Sequence, residues 1–209
     1  MRAGRRTAHH HFGCRLVDGE PDAAVAPPDL AIEIDEAEMQ AGLEAWQAGD
    51  MVGAMNRYQV AADAGLAQAQ AKLGYIYDVS NQDEMAVRWY REASMQNDPD
   101  GEFGLGEMYT KGEGVDQDFD MAVEMYMRAA VGGHAQARRV LASAYEHGAL
   151  GRDVDAAEAL RWLRLAADSG DANSMKRMAA LYRDGGLGVK PDSAMAEQWQ
   201  ARADALQEQ

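Results

Sequence analysis

The chain contains one cysteine, five prolines and few aromatic residues, and its apolar runs are short. Cys14 alone excludes an internal disulfide and any multi-cysteine zinc or iron–sulfur site. No stretch approaches the roughly 18–20 apolar residues that a membrane span needs. The start of the chain is basic, as in a secretory signal, but the apolar region of about 7–15 residues that should follow is missing. His9, His10 and His11 stand in its place. Basic residues are scarce, with 20 Lys and Arg against 35 Asp and Glu, a net charge of −15. Arg2, Arg5, Arg6 and Arg15 fall in the first 16 residues, which hold no acid, so the remainder carries a net −19. Such a body repels phosphate backbones, and nucleic acid is not an expected partner.

What the chain does have is enough apolar residue for a core. With 209 residues, 47% of them hydrophobic, it can bury a core without disulfides or metals. Pro21, Pro27 and Pro28 punctuate its beginning, so residues 1–30 read as a flexible leader and 31–209 as the folded domain. Two chemistries suggest themselves in the leader. His9–His11 with Cys14 offer imidazole and thiolate to zinc or copper, but no second ligand cluster closes a site. Phe12-Gly13-Cys14 resembles the cleavage box of bacterial lipoproteins, but lacks the preceding apolar stretch unless the start is misassigned.

The domain is periodic, a feature that decides the fold before any other. Ala54, Ala86, Ala122, Ala159 and Ala196 recur in one helical pattern. Each is followed after three residues by Arg57, Trp89, Met125, Trp162 or Trp199, and after four by Tyr58, Tyr90, Tyr126, Leu163 or Gln200. Small residues return after seven and eight, which marks one face of an α-helix. Four residues before each alanine stands Asp50, Gln82, Asp118, Asp155 or Asp192, a position where aspartate caps a helix. A preceding helix repeats Leu73-Gly74, Leu105-Gly106, Leu141-Ala142 and Met178-Ala179, each with a tyrosine three residues on: Tyr77, Tyr109, Tyr145 and Tyr182. The small residue invites close helix approach, and that tyrosine is expected to fill the space beside it. Glycine turns such as Gly112-Glu113-Gly114-Val115 join the two helices, and the first two units shorten this turn.

Gly133-His134-Ala135-Gln136-Ala137, followed by Leu141, Tyr145, a glycine turn, Asp155, Ala159, Trp162 and Ala166-Ala167, resembles a Sel-1-like repeat, the longer-turned relative of the tetratricopeptide repeat. Units are expected at about 36–66, 67–98, 99–134, 135–171 and 172–206, the first nearer to a tetratricopeptide repeat. The resemblance implies an all-α solenoid, a right-handed superhelix of five antiparallel helix pairs. It also implies bacterial relatives that regulate sensor kinases, envelope processes or host contact. A cysteine-rich branch of the family is linked to cell-wall compounds, and this chain departs from it.

In a solenoid the recurring residues are consumed by packing and the concave face of the first helices is left for partners. Helical phase assigns to that face Leu43, Trp46, Tyr75, Phe103 and Glu107 in the first three units, and Arg139, His147, Lys176 and Arg183 in the last two. The expected function is a non-catalytic scaffold or adaptor that binds a peptide or partner protein in this groove, with apolar anchors at one end and acidic groups at the other. The alternative is a metal- or ligand-binding protein using His9–His11. Catalysis finds no support. His134 sits at a repeat junction as a structural residue, His147 adjoins Glu146 but has no serine or cysteine placed to form a nucleophilic pair with it, and no cofactor is implied. Asp116–Asp120 begins like a calcium loop but has Met121 and Met127 where glycine and glutamate are required. A monomer is expected, although Trp199 on the final helix has no following repeat to cover it. The cytoplasm is the expected location, with the periplasm or envelope if the start is misassigned.

Overall fold

A computed structural model describes residues 28–206, and within them the fold is an α-solenoid of ten helices in five antiparallel pairs. They are α1 (Pro28–Gln47), α2 (Met51–Asp63), α3 (Ala67–Val79), α4 (Asp83–Met95) and α5 (Pro99–Lys111). The second half comprises α6 (Phe119–Val131), α7 (Ala135–His147), α8 (Ala156–Asp168), α9 (Ala172–Asp184) and α10 (Ser193–Ala205). Helix α1 begins at Pro28, earlier than the first unit's expected start; proline suits a first helical turn, where its missing N–H would have no partner. The His9–His11 tract and Cys14 lie outside the described residues. No helix among those described is long and apolar enough to cross a membrane.

Helix starts follow the sequence closely. Asp50, Asp118, Asp155 and Asp192 each accept backbone N–H groups at the start of a second helix, and Gln82 makes no such bond. The first helices add caps that the alanine register does not reveal: Asp98 for α5, His134 for α7 and Asp171 for α9. Helices α5 and α7 end on left-handed glycines, Gly112 (φ 76°) and Gly148 (φ 68°).

The packing corrects one expectation. The niche over each mid-helix glycine is filled by the tyrosine of the second helix, not by the tyrosine three residues downstream. A Cβ on Gly42 would lie 2.5 Å from Tyr58, one on Gly74 2.5 Å from Tyr90, and one on Gly106 2.8 Å from Tyr126. Where the second helix supplies Leu163 or Gln200 instead, the first carries Ala142 or Ala179. Socket and knob are therefore matched within each unit. Tyr90 is wedged twice over, because a Cβ on Gly104 of the next unit would lie 2.3 Å from it, and there α3 packs directly against α5.

The buried residues form two apolar clusters that meet at α5. Leu105 and Met108 belong to the N-terminal cluster and Phe103 to the C-terminal one, while Tyr109 packs against both. Trp89, Trp162 and Trp199 are buried, each beneath an arginine: Arg88, Arg161 and Arg202 lie 5.4, 4.9 and 4.2 Å from the respective rings. Trp199 is only 4% exposed, so it is a core residue like the other two although no repeat follows it. It belongs to the same apolar cluster as Met175, Met178 and Ala203.

Candidate peptide-binding groove

The first helices bring two depressions together. One, of about 310 Å³, is lined by Leu43 and Trp46 of α1, Tyr58 of α2, and Lys72, Tyr75 and Ile76 of α3. The next, of about 280 Å³, shares Lys72 and Tyr75 and continues across Phe103, Gly104 and Glu107 of α5 to His134 and Gln136. Together they make a groove across units one to four, with Tyr75 at its centre.

Two large apolar side chains of this wall stand exposed. Leu43 is 36% and Tyr75 47% exposed, and the indole of Trp46 meets the Tyr75 ring edge-on with centroids 5.7 Å apart. Edge-to-face rings fix one another's orientation, so the wall is preorganised.

Charge enters on the α5 side. Lys72 Nζ donates to Asp100 Oδ2 at 3.0 Å, and the other Asp100 oxygen lies 3.6 Å from His134 Nε2. Burial pushes the His134 pKa below its ordinary value, with Asp100 pulling the other way. Lys111 stands 3.1 Å from Glu113 and 3.9 Å from Asp78. The Glu107 carboxylate makes no ion pair or hydrogen bond among the described residues. Burial raises its pKa, Lys111 opposes the rise, and Asp78 and Glu113 add to it.

Five of the nine sequence-assigned groove residues, Leu43, Trp46, Tyr75, Phe103 and Glu107, thus line one continuous groove. Phe103 is nevertheless not a free anchor. It is 8% exposed, stacked on His134 with centroids 4.3 Å apart and tilted on Tyr126 at 5.5 Å, so it forms the floor. Arg139 pairs with Asp171, the cap of α9, and so is not a cation held ready for a partner. Lys176 is half-buried and Arg183 exposed, and neither forms an ion pair among the described residues. Arg183 lines a separate depression against α10, with Glu197 and Gln200. Helical phase missed Lys72, which lies outside the groove-facing offsets and reaches the cavity on its long stem.

Ser143 lies one turn before His147, with Oγ 3.5 Å from Nδ1. Nδ1 is closer, at 3.0 Å, to the Ser143 carbonyl oxygen, which can only accept. The ring nitrogen is thereby a donor and offers no base to the hydroxyl. Among the described residues no group of three His, Cys, Asp or Glu side chains could hold a metal.

The Sel1 repeat profile matches residues 67–98, 99–134, 135–171 and 172–203. A Sel1 repeat protein from Oxalobacter formigenes superposes with a TM-score of 0.72 at 29% identity, over 81% of this chain and 70% of that one. The protective antigen c5321 of uropathogenic Escherichia coli gives 0.68 at 30% identity, over 82% and 38%. An uncharacterized Neisseria meningitidis protein, NMB1327, is 33% identical over 51% of this chain and 22% of its own. The rat DAP3-binding cell death enhancer 1 is 32% identical over 47% and 20%. The chain therefore spans about a fifth of the length of these curated relatives.

Proposed function

The chain belongs to the Sel1 repeat family, and we propose that it is a non-catalytic adaptor holding a segment of a partner protein in the groove of α1, α3 and α5. Proteins built from this repeat are generally protein-interaction scaffolds. The observation that carries the reading here is the apolar wall of one depression, where Leu43 and Tyr75 stand exposed and the half-buried Trp46 ring braces Tyr75 edge-on. Aromatic side chains in preformed pockets commonly dominate interface energetics.

The test is a pull-down from native cell lysate, with wild type compared against Leu43→Glu and Tyr75→Ala. Phe103 and Arg139 are poor choices for it, since one is core and the other holds a helix cap. A protein retained by the wild type and lost by both variants supports the groove. A partner retained equally by all three moves the site elsewhere on the solenoid.

A further inference from the structure

Resting on the groove reading, we propose that the occupant is a basic segment, one that seats an aliphatic or aromatic side chain against Leu43, Trp46 and Tyr75 and a neighbouring arginine or lysine against Glu107. The two depressions share Tyr75 and Lys72, so an anchor in the first places adjacent residues of the same segment over the second. There the local cations are already matched: Lys72 by Asp100, and Lys111 by Glu113 and Asp78. His134 is biased by burial toward its neutral form and offsets little negative charge.

Glu107 is what remains over. Its carboxylate is half-buried on the cavity wall, without an ion pair or hydrogen bond among the described residues, and with Asp78 and Glu113 nearby. Withdrawing a carboxylate from water without a partner is unfavourable, and the rise in its pKa reflects that penalty. A guanidinium or ammonium arriving with the partner would supply the missing charge-assisted hydrogen bonds. A carboxylate arriving there would be repelled. The net charge of −15 adds long-range attraction for a cationic segment. The binding-site polarity is therefore the reverse of the acidic preference that Arg139, Lys176 and Arg183 suggest in the sequence: Arg139 is paired, and Arg183 lines another depression.

The experiment uses the full chain and fluorescence anisotropy with two short labelled peptides, each containing a Leu-Phe pair, one flanked by arginines and the other by glutamates. The arginine probe is expected to bind at least about tenfold more tightly, with an affinity that falls as salt rises. Glu107→Gln should weaken that probe several-fold and flatten its salt dependence without lowering the melting temperature, because the variant removes a half-buried charge that has no ion pair among the described residues. Tyr75→Ala should weaken both probes. If the glutamate probe binds as well as the arginine probe and Tyr75→Ala still removes it, the charge preference is overturned and the groove stands. If binding of either probe is indifferent to Tyr75→Ala, both readings fall. Binding of neither probe also overturns the charge preference, and the pull-down variants then decide separately whether the groove is used.

Discussion

His134 caps α7 by accepting the Ala137 N–H at Nδ1, 3.1 Å away, while its ring lies flat against Phe103 of α5, the planes 16° apart. One side chain thus starts a helix, covers a core phenylalanine and joins two repeats. The cap requires an unprotonated Nδ1.

That requirement sets a pH response. The His134 pKa is lowered on folding by burial, so the unfolded chain takes up the proton first as pH falls. Its contribution to stability is complete above about 6.5, the unfolded value, and is lost as pH drops through the lower folded value. Urea unfolding of wild type and His134→Asn at pH 8 and pH 5 should show a gap that narrows at the lower pH. A constant gap would remove the imidazole from the account.

Gly74→Ala should destabilise the protein despite alanine's better helix propensity, worth about 1 kcal/mol. The new methyl meets Tyr90, which cannot retreat because Gly104 holds it from the next unit. Overpacking of this kind costs about 1–3 kcal/mol. Tyr90→Leu should be less harmful in the Gly74→Ala background than in the wild type, reproducing the Ala142–Leu163 pairing. A double-mutant cycle by thermal or urea unfolding measures this coupling.

Glu102, 2% exposed, accepts from Arg128 Nη2 at 2.7 Å, and Arg128 also donates to the Ser94 carbonyl. Arg128→Met leaves the carboxylate without its partner and should cost about 2 kcal/mol, less than for a fully enclosed pair because water reaches the guanidinium. Burial already raises the Glu102 pKa, and Arg128 restrains the rise. Without Arg128 the folded value climbs further, and a raised value favours the folded state below it. The variant's deficit should therefore shrink as pH is lowered toward 5.

Tyr75→Ala and Phe103→Ala should separate binding from folding. Tyr75 is 47% exposed, and its loss should change stability by about 0.5 kcal/mol or less. Phe103→Ala opens a cavity in the core and should cost about 3 kcal/mol. Similar melting temperatures for the two variants would contradict the structure.

The sequence made the solenoid legible because its apolar register repeats: Ala54 to Ala196, four of them preceded by an aspartate cap, suffice to place five second helices. It was less able to reveal contacts between units. Phe103 has the phase of a groove residue on its own helix, but Tyr126 and His134 close over it from α6 and the start of α7. Arg139 and Asp171 stand 32 residues apart, Glu146 and Arg177 31, and such pairs are visible only when one unit is laid over the next. Helical phase marks Tyr58, Tyr90 and Tyr126 as packed residues but points the wrong tyrosines at their sockets, because phase gives a direction and not a partner. Glu107 lay within the assigned face; its unpaired charge did not, since that depends on where Lys111 spends its own.

The doubly wedged Tyr90 has a consequence for how such a chain can be rearranged. The residue two before the small one is Gly104 in the third unit, Val140 in the fourth and Arg177 in the fifth. Among these, the third unit's glycine is the one that a preceding tyrosine ring approaches within 2.3 Å of a Cβ position. The second unit is therefore keyed to the third, and shuffling or duplicating repeats at that junction would put a side chain where Tyr90 must lie. The units share a period without being interchangeable parts at the joint between the second and the third.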